Sequence, residues 1–178
     1  MKLKSQFVKG KNMNKNIVTR VIFLILIIIN CIVIFIFSSQ NGEKSSNVSG
    51  SFVKQIIEIL PGTENLSKSE KEQLTENLQF LVRKGAHFSI YALLGVFTMG
   101  FMNTFNISAR RKILFAFIFG LLYAITDEIH QLFSSGRSAK IMDVGIDSLG
   151  VIFGILIISL IIYLINRKNS KPKRIITN

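Results

Sequence analysis

Tryptophan is absent from this 178-residue chain, cysteine occurs once and proline twice. With Cys31 alone there is no disulfide framework, and two prolines beside 12 glycines leave no collagen-like repeat. Acids are also scarce: 10 Asp and Glu face 22 Lys and Arg, giving a formal charge of +12. Apolar residues, by contrast, make up 49% of the chain, which excludes a disordered protein and departs from an ordinary soluble domain. What the basic excess means depends on where it lies along the chain.

From Ile17 to Phe37 the only charge is Arg20. A helix of about 20 apolar residues crosses the hydrocarbon layer, so this run predicts a membrane span. It is longer than the core of a cleaved signal peptide and leads into Phe37-Ser38-Ser39-Gln40 with no small-residue cleavage site, which reads as an uncleaved anchor. Cys31, preceded by Ile-Ile-Asn, lacks the small residues of a lipidation site and reads as a soft apolar side chain.

Three further spans are predicted over 86–105, 113–133 and 144–165. The apolar part of the third, Ile113 to Thr126, covers only about 21 Å, so the helix must continue through Asp127, Glu128, His130 and Gln131 to cross. Between the first two spans, 38–82 is a polar extracytoplasmic segment with helical stretches. Ser67-Lys68-Ser69-Glu70 reads as a capping box ahead of Leu74, Leu78, Leu81 and Val82, and Phe52, Val53, Ile56, Ile57 and Leu60 form an amphipathic stretch ending at Pro61-Gly62. The expected fold is all-α, an integral membrane four-helix bundle occupying 17–165, with basic tails over 1–16 and 166–178.

The positive-inside rule then sorts the charges. Fourteen cations fall in the N-terminal flank, the Arg110-Arg111-Lys112 loop and the C-terminal tail; all ten acids, with the other eight cations, lie between Glu43 and Asp147. This predicts both termini cytoplasmic in a multi-pass cell-membrane protein. Topology accounts for the basic excess without a nucleic-acid partner, and the tails are suited to anionic lipid.

At four-residue helical spacing, Arg83, His87, Tyr91 and Gly95 share a stripe, Asp127 and Gln131 share another, and Asp143 and Asp147 stand above Gly150 and Gly154. Gly120 and Ala124 similarly permit close approach beneath Asp127 and Glu128. Charged groups in a membrane helix are costly and require compensation, so these residues predict one inward-facing polar cluster at the outer face. Arg83, Lys84 and Arg137 are available to balance Asp127, Glu128, Asp143 and Asp147, with Arg137 in a turn before a helix start, where backbone N–H groups also attract anions.

Several chemistries remain open. Arg83, Lys84, His87, Gln131, Arg137, Asp143 and Asp147 are candidate ligand-binding residues for an anionic head group. Asp127 or Glu128 with His87 or His130 could move protons, as could Tyr91; His130 at a helix end reads first as structural, and Tyr91 is equally suited to a hydrogen bond with Asp127 or Glu128. Asp127, Glu128, Asp143 and Asp147 offer oxygen ligands to a divalent cation, although their spacing matches no zinc-protease or EF-hand pattern. A simple ion-pair network fixing helix register accounts for the same residues. No serine-nucleophile elbow is present.

Phe37-Ser38-Ser39-Gln40, then Arg83-Lys84-x-x-His87-Phe88-x-x-Tyr91-x-x-Leu94-Gly95, then Asp127-Glu128-x-His130-Gln131-x-Phe133-x-x-Gly136-Arg137, then Asp143-x-x-x-Asp147-x-x-Gly150-x-x-x-Gly154 together resemble the VanZ family of small bacterial membrane proteins. The resemblance covers roughly Ile17 to Leu164. It implies a four-helix membrane domain of the cell envelope, and its best-known member contributes to teicoplanin resistance in Gram-positive bacteria by lowering lipoglycopeptide engagement at the surface. Asp147 stands where many relatives have Asn, adding an acid to the site. The resemblance names no reaction.

The leading expectation is therefore an envelope protein that binds or remodels an anionic lipid or a lipid-linked envelope precursor at the outer leaflet. The alternatives are a metal-assisted hydrolase or transferase acting on a polyprenyl phosphate, and a structural or partner-binding membrane protein. Whether a reaction is catalysed, and the oligomeric state, are not legible in the sequence.

Overall fold

A computed structural model of the chain describes residues 2–40, 42–63, 66–134 and 140–169. These form five helices and, among the described residues, no strand: α1 (Lys2–Ser38), α2 (Gly42–Ile59), α3 (Lys68–Asn103), α4 (Ala109–Gln131) and α5 (Ile141–Asn169). Among the described residues four helical stretches are long and apolar enough to cross a membrane: Asn16–Ser38, Lys68–Asn103, Ala109–Gln131 and Ile141–Lys168.

The second span differs from expectation. The capping box at Ser67 is present, with Glu70 N–H donating to Ser67 Oγ and Ser67 N–H donating to Glu70 Oε2 at 2.8 Å. The helix it starts does not stop before the membrane. It runs without a break through Arg83, Lys84 and Gly85 to Asn103, 36 residues in all. Nothing in this stretch forces a break: it contains no proline, and Gly85 is tolerated inside a helix at a cost of about 1 kcal/mol. At about 1.5 Å per residue α3 is about 54 Å long, well beyond the roughly 30 Å hydrocarbon layer. Its N-terminal portion therefore projects from the membrane.

Helix α2 packs against that projection as an antiparallel hairpin. Gln79 Nε2 donates to the Ser46 carbonyl at 2.7 Å and to Ser49 Oγ at 3.1 Å, and Val53 and Ile57 are buried on the inward face of α2. The turn is closed by Thr63, whose hydroxyl donates to the carbonyls of Ile57 and Leu60 at 2.7 and 2.8 Å. Gly62 has φ of +92°, a conformation that favours glycine, and it lets the chain reverse there.

The other spans shift at their ends. The third helix begins at Ala109 and ends at Gln131, so Leu132 and Phe133 lie in the turn beyond it instead of closing the span; the fourth extends from Ile141 to Asn169. Helix α1 continues N-terminally to Lys2, through the segment read as a tail.

Small residues bring the helices together, because lipid supplies little apolar driving force between them. A Cβ on Gly154 would collide with the Ala92 carbonyl, one on Gly150 with the Phe88 carbonyl, and one on Gly95 with the Val151 carbonyl. Thus α3 and α5 touch backbone to backbone. On α4, a Cβ on Gly120 would lie 2.6 Å from Cγ1 of Val151, a residue with no exposed surface. Around α5, then, both α3 and α4 pack through glycine. Ile27 and Ile34 of α1, with Leu94, Met99, Ala116, Ala124 and Ile155, complete the apolar interior, while residues such as Ile25, Phe119 and Leu156 face outward as a belt suited to lipid.

The two ends of the bundle are tied differently. At one end Arg20 donates from Nε to Thr104 Oγ1 at 3.2 Å and from Nη2 to the Thr104 carbonyl at 3.3 Å, with its guanidinium 4.0 Å above the Phe105 ring. The other end carries the polar cluster.

Candidate functional site

The polar end gathers residues from all four spanning helices. Helix α1 brings Ser38 and Ser39, α3 brings Lys84, His87 and Tyr91, α4 brings Asp127, Glu128, His130 and Gln131, and α5 brings Asp143 and Asp147. Helix packing sets this convergence, since the glycine contacts of α5 lie directly beneath its two aspartates at intervals of three and four residues.

Two rungs join α3 to α5. Lys84 Nζ forms an ion pair with Asp143 Oδ1, and both side chains are largely buried, at 15% and 17% exposure. One turn deeper, His87 Nδ1 lies 3.5 Å from Asp147 Oδ1; His87 keeps 26% of its side chain exposed and Asp147 only 1%. Below these, Tyr91 is completely buried and lies in the electrostatic field of the carboxyls of Asp127 and Asp147. Its hydroxyl faces the Asp127 carboxyl, the nearer of the two acids acting on it.

Helix α4 satisfies its acids locally. Gln131 Nε2 donates to Asp127 Oδ2 at 3.2 Å across one helical turn. Glu128 Oε1 accepts the backbone N–H of Lys140 at 2.5 Å, immediately before α5. The anion-attracting helix start expected in this region is therefore occupied, at that amide, by the chain's own carboxylate. The second Glu128 oxygen is buried without a partner among the described residues.

Among the described residues, the only Lys or Arg pair within the four acids is Lys84 with Asp143. Arg83 is half-buried and forms no ion pair among the described residues, and Arg137 lies outside them. Among the described residues, Asp127 accepts from the Gln131 amide and Glu128 from the Lys140 backbone N–H.

Among the described residues no three His, Cys, Asp or Glu side chains converge as a ligand set. The reason is visible in the partners: Asp143 is drawn to Lys84, Asp147 to His87, and Glu128 to the start of α5.

Ser39, which the sequence supplied only as part of a motif, has a structural partner. Its hydroxyl lies 3.1 Å from His130 Nε2, while the His130 ring stacks on Phe35 at 4.7 Å between centroids. Ser134 Oγ donates to the Ser38 carbonyl at 3.4 Å. His130 therefore latches the end of α4 onto the end of α1. Helices α1 and α4, the first and third spans, both run toward this end, as alternating spans require.

Bundle and site together define a multi-pass, all-helical membrane domain whose intramembrane acids gather at one end. The family model described as VanZ/LLP1 matches residues 23–163, and the chain belongs to that family. No curated protein and no solved structure matches the chain.

Proposed function

We propose that this VanZ-family membrane protein binds an anionic lipid or a lipid-linked envelope precursor at the outer leaflet, and that this lowers engagement of teicoplanin-type lipoglycopeptides. The observation that carries the reading is the half-buried Arg83, without an ion pair among the described residues, next to the Lys84–Asp143 pair on one helix. An anion at this level gains a guanidinium with two parallel donors and an ammonium that Asp143 already orients. Arg137, outside the described residues, follows the same family motif and belongs to the same expectation. Charge placement supports an outward-facing site: the arginine and lysine runs at both tails and in the Arg110-Arg111-Lys112 loop favour cytoplasmic termini in the cell membrane.

A second reading has its own support. Lys84 with Asp143, His87 with Asp147 and His130 with Ser39 are all internal contacts, and they suit a structural or partner-binding protein whose ion pairs fix the bundle.

The test is binding of fluorescent teicoplanin to a susceptible Gram-positive host expressing wild-type protein, Arg83→Gln or Glu128→Gln at matched membrane levels. The head-group reading expects reduced binding with wild type and recovery with Arg83→Gln. Equal binding in every strain, empty vector included, would remove the lipoglycopeptide part of the proposal.

A further inference from the structure

The deeper of the two α3–α5 rungs is asymmetric in a way the upper one is not. Asp147 is 1% exposed, and neither of its oxygens makes a hydrogen bond of good geometry among the described residues. Among the described residues its ion-pair partner is His87 Nδ1, at 3.5 Å, and His87 is the more exposed of the two. An ionised carboxylate only accepts, so it selects the imidazole tautomer with the proton on Nδ1 and leaves the lone pair on Nε2. Lys84 lies about one turn away on the same helix, toward the end of the bundle. The other charged or titratable groups described in the cluster are Arg83 and Tyr91 of α3, Asp127, Glu128 and His130 of α4, and Asp143 of α5; from the end of α1 come Ser38 and Ser39.

We propose that His87 is the acid–base group of this site, with Asp147 as its positioning residue, acting on a hydroxyl of an anionic head group whose phosphate lies beside Lys84. The inference rests on the head-group reading above. In the forward transfer the hydroxyl O–H bond breaks, its electron pair stays on oxygen, and an N–H bond forms at Nε2. The resulting imidazolium faces the Asp147 carboxylate, and the oxyanion lies near the Lys84 ammonium. The reverse transfer, from Nε2 back to that oxygen, re-forms the O–H bond and restores the neutral ring. A buried acceptor behind a histidine and a free nitrogen in front is the arrangement that holds a base in its working tautomer. The substrate class is a phosphate ester that also carries a hydroxyl, such as a glycerol- or sugar-phosphate head group.

The chain has only two histidines, so the test can read each ring directly. The full chain, with 15N-labelled histidine, is placed in phosphatidylcholine nanodiscs at a pH where the spectra show neutral rings, and His130→Asn assigns the signals. The expected result is His87 with Nδ1 protonated and Nε2 bare by about tenfold or more. Asp147→Asn, whose amide can donate to Nδ1, should bring the two tautomers near parity. A wild-type ring protonated on Nε2, or a ratio unchanged by Asp147→Asn in a folded protein, would overturn the dyad.

In the second arm phosphatidylglycerol, which carries a phosphate and free hydroxyls, replaces part of the phosphatidylcholine, and native mass spectrometry follows its binding. The proposal expects the His87 Nε2 signal to move, the His130 signals to stay, and Lys84→Met to abolish the movement. Phosphatidylglycerol bound with no change at His87 overturns the acid–base role and leaves the head-group reading standing. No bound phosphatidylglycerol removes the head group, and the acid–base proposal with it.

Discussion

Glu128 near the end of α4 accepts the backbone N–H of Lys140 just before α5, at 2.5 Å, so one helix caps the start of the next. The carboxylate sits where the exposed N–H groups of a helix start carry partial positive charge, and it is 4% exposed. This contact closes the connection between two membrane helices from within the bundle.

Glu128→Gln should therefore keep the fold but weaken it by about 1–2 kcal/mol, because a neutral acceptor replaces a charged one. Thermal unfolding in detergent micelles measures this. Glu128→Ala, which leaves the N–H of Lys140 without its acceptor, should cost more than Glu128→Gln.

The Lys84–Asp143 pair should show strong coupling. Removing either partner strands a largely buried charge, and Lys84→Met or Asp143→Asn alone should cost about 3 kcal/mol, near the lower end for buried pairs since both groups retain some exposure. The double variant should recover a large part of that loss. A double-mutant cycle on urea or thermal unfolding reads the coupling, and additive losses would show that the pair contributes no interaction.

Two glycines on α3 and α5 should respond in opposite directions. Gly154→Leu places a side chain where the Ala92 carbonyl already lies, so the helices must separate, and a loss of several kcal/mol is expected. Gly85→Ala adds a methyl with no atom within 4 Å, in a helix interior, and should stabilise the chain by about 0.5–1 kcal/mol. Melting temperatures of both variants, measured side by side, check the contrast.

Gln79→Ala should loosen the α2 hairpin alone. It removes two donated hydrogen bonds that hold α2 to α3, at about 1 kcal/mol each. Hydrogen exchange should rise over Gly42–Ile59 and remain unchanged over the glycine-packed part of α5.

The sequence was most legible where periodicity and chemistry act within one helix. The Ser67–Glu70 cap, the His87–Tyr91 stripe and the Asp143–Asp147–Gly150–Gly154 stripe all follow from helical spacing, and each is found as read. The boundary at Ala86 was misleading for a physical reason. Polarity changes there because the solvent changes from water to lipid, whereas the backbone hydrogen bonds continue unchanged through Gly85. Contacts between helices were less legible, because each depends on the rotation of two rods about their axes. Among the described residues Glu128 meets a backbone N–H and His130 meets Ser39, pairings that the spacing within one helix does not select.

The uninterrupted α3 makes the molecule a lever. The hairpin of α2 and the N-terminal half of α3 shares one stiff rod with Lys84 and His87, so a push on its tip near Gly62 cannot be absorbed at a hinge between membrane and water. It must appear as tilt of α3, and the backbone contacts of α3 with Gly150 and Gly154 then act as the fulcrum. Displacement at the tip is converted into sliding of the two α3–α5 rungs, which lie a short distance from that pivot.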